Sequence, residues 1–100
     1  MKVETLPVVE VVWVDAEEKG ETGWNDLKEM IRYAKKPCPT MHTVGYEVYR
    51  SDSHVAVLST IGDVDCSTLE KIPAGFIVSH TVLRAPTKKS PPPAKTKSSK

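Results

Sequence analysis

One hundred residues with 14 basic and 13 acidic side chains and 39% hydrophobic content allow a single domain with a modest core. No stretch approaches the roughly 18 apolar residues of a membrane span, and Met1-Lys2-Val3-Glu4 lacks the apolar centre of a secretory signal, so the sequence predicts a cytoplasmic protein. The formal net charge of +1 divides unevenly: Lys88, Lys89, Lys95, Lys97 and Lys100 lie in an acid-free tail, leaving nine basic against 13 acidic residues elsewhere, a net of −4.

Pro7 precedes Val8-Val9-Glu10-Val11-Val12-Trp13-Val14, a nearly continuous β-branched run that predicts a largely buried first strand. Asp15 to Gly23 is charged and glycine-bounded, the composition of a loop. Asn25 then supplies an N-cap with Asp26 in the first turn. Leu27, Met30, Ile31 and Ala34 follow at i, i+3, i+4 and i+7, the stripe of an amphipathic helix over about residues 25–36. Lys35 and Lys36 suit its C-terminal end, and Pro37 stops it.

The second strand is predicted over about residues 41–50, with Val44, Tyr46 and Val48 on one face and Gly45, Glu47 and Tyr49 on the other. Ser51-Asp52-Ser53 turns the chain into a third strand, about residues 54–61. A turn at Gly62-Asp63-Val64-Asp65 leads to a short strand at about 68–72, and Pro73-Ala74-Gly75 leads to the last, at about 76–83. Strand, helix, then a run of short strands predicts an α+β, mainly β domain over residues 1–84. Its form is a small, strongly bent antiparallel sheet or partly open barrel with one packed helix between strands one and two.

Residues 85–100 contain no large apolar side chain and cannot offset the entropy of ordering, so a disordered Lys/Pro/Ser-rich tail is expected. Pro91-Pro92-Pro93 favours extended backbone without P-x-x-P spacing.

Val11-x-Trp13-x-Asp15, Gly23-Trp24, Val44-Gly45-Tyr46 and Ile72-Pro73-x-Gly75-x-Ile77 together resemble a group of small phage- and prophage-encoded proteins of unknown function. The resemblance covers about residues 8–84. It implies an SH3-like barrel, a viral origin and a bacterial host cytoplasm, and its motifs transfer no catalytic residue.

Cys38, His42, His54, Cys66 and His80 are the soft or imidazole ligands, but none forms a C-x-x-C pair or another familiar metal spacing, and no metal or cofactor is expected. Two cysteines in a cytoplasmic chain read as free thiols. Cys66 could meet His54 or His80, yet Asp63, Asp65 and Glu70 around it oppose thiolate formation. Asp15, Glu17, Glu18 and Glu21 read as a solvated acidic loop, and the glycines form no phosphate-cradling motif. The expectation is a non-enzymatic protein.

Binding surfaces are the better candidates. Trp24 at the helix entrance reads as core, with a partly exposed anchor as the alternative. Lys28, Arg32 and Lys36 recur at four-residue spacing opposite the apolar stripe, as a grip for phosphate or an acidic partner or simply a solvated face. Tyr46 and Tyr49 are expected on opposite faces, with Tyr49 and Arg50 the exposed pair. A phage accessory protein that binds a host protein or sequesters a small ligand follows, with pairing of strand edges into a homo-oligomer. The alternatives are weak nonspecific nucleic-acid binding through Lys88, Lys89, Lys95, Lys97 and Lys100, or a virion or scaffold component.

Overall fold

A computed structural model describes residues 2–87. Strand β1 runs Val8–Val14, helix α1 Leu27–Ala34, β2 Thr40–Arg50, β3 His54–Leu58, β4 Leu69–Pro73 and β5 Ile77–Arg84, with single 3-10 turns at Val3–Thr5 and Ala74–Phe76. The strands form one antiparallel sheet in the order β4-β3-β2-β1-β5.

The long β2 strand serves two partners in succession. Its first part, Thr40 to Tyr46, pairs with β1, and its last part, Tyr46 to Arg50, pairs with β3. Gly45 sits at the changeover. A Cβ there would lie 2.6 Å from both the Leu58 carbonyl oxygen and Val57 Cγ1, so only glycine lets β3 approach. The link from β4 to β5 makes the curvature compulsory. In a flat sheet those edges stand about 19 Å apart, whereas the four Cα steps from Pro73 to Ile77 reach at most about 14 Å. The sheet therefore curls, but the described residues contain no β4–β5 ladder, and it does not close into a barrel.

Curling buries one face. Val9 and Val11 from β1, Val55 and Val57 from β3 and Ile72 from β4 form the core, with Trp13 and Ile77 packed against it. Cross-strand partners share a face, so pairings such as Val9–Gly45, Val11–His80 and Val57–Glu47 place these residues on the same inner side. Only Val9 and Val11 of β1 are fully buried. The valine run is thus an alternating strand, not the largely buried one its composition suggests, because its second face remains partly open.

Three further expectations are corrected. The helix is not packed on the sheet: it spans Leu27–Ala34 and has no buried residue. Its N-cap is Asp26, whose carboxylate accepts the Glu29 N–H at 3.0 Å, not Asn25. The Asn25 amide clasps the preceding loop instead, accepting from the Glu21 N–H and donating to the Glu21 carbonyl, both at 3.0 Å. The β2 register breaks between Glu47 and Tyr49, so Tyr49 lies opposite Ala56 and Tyr46 opposite Leu58. This bulge moves Tyr49 off the Glu47 face and onto that of Tyr46.

Past β5, Thr87 donates from both its backbone N–H and its hydroxyl to the Glu4 carbonyl, at 2.8 Å each, tying the chain beside the start of β1. No helix of the described residues is long and apolar enough to cross a membrane.

Candidate functional site

Three places combine exposure or polarity with defined geometry. The first is α1 and its entrance. Loop residues 15–25 lift the helix off the sheet, leaving Trp24 102% exposed, Leu27 70% and Ile31 48%. Trp24 is therefore not core. Large apolar side chains recur along one stripe of a helix that has no buried residue. Eight residues are too few to be stable as an isolated helix, so the Asp26 cap and loop contacts carry much of its order. Among those contacts, the Lys19 ammonium lies 4.8 Å from the Tyr33 ring centre. Glu17, as an acceptor and a negative charge near the Tyr33 hydroxyl, holds the tyrosine pKa above the ordinary 10.0.

The basic line opposite this stripe is shorter than its spacing suggests. Lys28 and Arg32 lie on α1, but Lys36 falls beyond its end, with its ammonium 5.8 Å from the Tyr33 ring centre. Lys88, Lys89, Lys95, Lys97 and Lys100 lie outside the described residues.

The second place is a groove of about 360 Å³ between β2, β3 and β4. The β2–β3 ladder ends at Tyr46–Leu58, and beyond it the strands part, opening a wedge between Thr43 and Val44 on one side and Ser59 on the other. Val57, Thr68, Leu69 and Glu70 complete its lining. A hydrogen-bond relay crosses the wedge: Trp13 Nε1 donates to Thr43 Oγ1 at 3.0 Å, and that hydroxyl donates to Glu70 Oε1 at 3.1 Å. The Thr43 hydroxyl proton is thereby committed, while the exposed Glu70 carboxylate keeps lone pairs for an incoming donor.

The third place is the His80–Glu47 pair at the rim of the core. His80 Nε2 and Glu47 Oε1 lie 2.6 Å apart, with side chains 17% and 11% exposed, and Arg50 Nε approaches the other carboxylate oxygen at 3.6 Å. Arg50 is thus engaged with Glu47, while Tyr49 tilts against the His54 ring at 5.4 Å, and the two do not form one surface. Glu47, like Thr43, is absent from the sequence-based candidates, and His80 stands among them only as an imidazole ligand or a partner for Cys66. His80 and Glu47 are 33 positions apart, and only the shared pairing through β1 brings them together.

Cys38 and Cys66 are exposed free thiols, and no group of three or more His, Cys, Asp or Glu side chains among the described residues is arranged to hold a metal. Comparisons with protein families, curated proteins and solved structures found no match for this chain.

Proposed function

We infer that this is a non-enzymatic binding module that presents α1 and Trp24 to a protein partner. The observation that carries the reading is the complete exposure of Trp24 beside Leu27 and Ile31 on a helix that has no buried residue. Short amphipathic helices engage partners through anchors at such spacings, and tryptophan is among the residues most often dominant in binding energy. Lys28 and Arg32 lie on the helix face away from the stripe, so the matching partner is an apolar groove that leaves these charges in solvent. The strand order and the single 3-10 turn between β4 and β5 support an SH3-like reading of the curled sheet. With the resemblance to phage and prophage proteins, this makes a bacterial host protein the natural target.

A second reading rests on the groove. Glu70, fixed by Thr43, suits a small neutral or cationic ligand with hydrogen-bond donors and opposes an anionic one. Native mass spectrometry of the full chain recovered from its natural cells tests both. A stoichiometric protein complex lost in W24A/I31A, with unchanged circular dichroism, supports the helix reading. A retained small molecule lost in T43V/E70Q supports the groove instead. A chain recovered bare overturns both.

A further inference from the structure

The two edges of the sheet are built differently. The β4 edge carries Glu70, Lys71 and Pro73 within five residues, the charges and proline that stop strands from pairing with a neighbour. By contrast, the β5 edge, Ile77-Val78-Ser79-His80-Thr81-Val82-Leu83-Arg84, holds neither an acid nor a lysine, and its one full charge comes last. His80, the other titratable group, is turned inward onto Glu47. Val78, Val82 and Leu83 are 64%, 49% and 53% exposed, and β5 pairs with β1 alone among the described residues. Its outward backbone N–H and C=O groups therefore form an open row.

The order of side chains along β5 says what completes it. About His80 the chemistry is palindromic: Ser79 mirrors Thr81, Val78 mirrors Val82, and Ile77 mirrors Leu83. A two-fold antiparallel pairing centred on His80 sets each residue opposite its mirror position in the second copy, and here each such pair matches in character. The geometry points to β5 pairing antiparallel with β5 of a second copy, His80 opposite His80, joining two five-stranded sheets into one of ten strands. In this register hydroxyl faces hydroxyl at Ser79–Thr81, valine faces valine at Val78–Val82, and no acid or lysine is brought opposite another. β5 slips against β1 at Val78 and at Leu83, which leaves Ser79 to Val82 as the regular stretch of this edge. The inference is independent of the helix reading, because α1 belongs to no part of this edge.

Sedimentation of the full chain across micromolar to hundreds of micromolar concentrations, in a C38S/C66S background that removes thiol cross-linking, tests the pairing. The parent is expected to be dimeric. S79K/T81K sets ammonium groups opposite one another at both symmetric positions and weakens association by about tenfold or more. S79K/T81E sets opposite charges there and restores it. A parent that stays monomeric overturns the proposal, as does equal association of the two double variants. Amide hydrogen exchange of the same parent gives a reading free of surface charge changes. The outward amides between Val78 and Val82 should gain protection as concentration rises, and concentration-independent exchange there overturns the pairing even if the variants fail to fold.

Discussion

His80 and Glu47 meet at 2.6 Å on the inner face of the sheet, both more than four-fifths buried, although their strands are separated by β1. The curl of the sheet brings them together, and the Arg50 guanidinium lies 3.6 Å from the same carboxylate. A contrast is provided by His42 and Glu10, 3.3 Å apart on the outer face with side chains 61% and 35% exposed. Hydrogen bonds to charged groups in sheltered sites contribute about 1.5–3 kcal/mol, and exposed pairs about 0–1. His80→Ala should therefore lower the free energy of urea unfolding by about 1.5–3 kcal/mol, against less than about 1 kcal/mol for His42→Ala. Equal losses would remove the structural distinction between the two pairs.

Gly45 in β2 and Gly75 in the 3-10 turn between β4 and β5 provide a steric comparison. A methyl group at Gly45 meets the Leu58 carbonyl oxygen and Val57 Cγ1 at 2.6 Å, and the first of these is backbone that cannot rotate away. Nothing lies within 4 Å of the corresponding position at Gly75. Overpacking of this kind costs about 1–3 kcal/mol or more, whereas an unobstructed Gly→Ala change gains up to about 1 kcal/mol by restricting the unfolded chain. Thermal unfolding should show Gly45→Ala with a clearly lower Tm and Gly75→Ala unchanged or slightly raised.

These two cases also show where reading the sequence stops. The bounds of β1 are evident in its valine-rich run after Pro7, and the β2–β3 hairpin in Ser51-Asp52-Ser53, because both are local signals. The extra residue between Glu47 and Tyr49 has no local signature, so simple alternation put Tyr49 on the wrong face. Likewise, the Leu27, Met30, Ile31 and Ala34 stripe is identical for a helix docked on its own sheet and one held away from it. Only the loop at residues 15–25 and its Asn25 clasp decide between them. His80–Glu47 and Thr43–Glu70 depend on register across three strands, which one sequence does not encode locally.

Because α1 has no buried residue, its exposed side chains should be nearly silent in global stability. Leu27→Ala and Ile31→Ala are expected to shift the unfolding free energy by less than about 0.5 kcal/mol, as exposed substitutions do. Ile72→Ala, at a fully buried position, should cost about 2–5 kcal/mol. Chemical denaturation of the three variants measures the contrast. A large loss at Leu27 or Ile31 would mean that the helix docks on the sheet in solution.

The Tyr33–Glu17 contact makes the loop-to-helix junction sensitive to alkali. Glu17 stabilises the protonated hydroxyl as an acceptor and repels the phenolate, so both effects raise the pKa above 10.0. A raised folded-state value means that the fold holds the proton more tightly than the unfolded chain. The contribution of this contact is complete below the unfolded tyrosine pKa of about 10 and is lost as pH rises through the higher folded-state value. Ultraviolet titration of phenolate should therefore place Tyr33, assigned by difference from Tyr33→Phe, above the ordinary value. Glu17→Gln should bring it down by removing the charge. An unchanged Tyr33 titration in that variant would show that Glu17 does not anchor the loop to the helix.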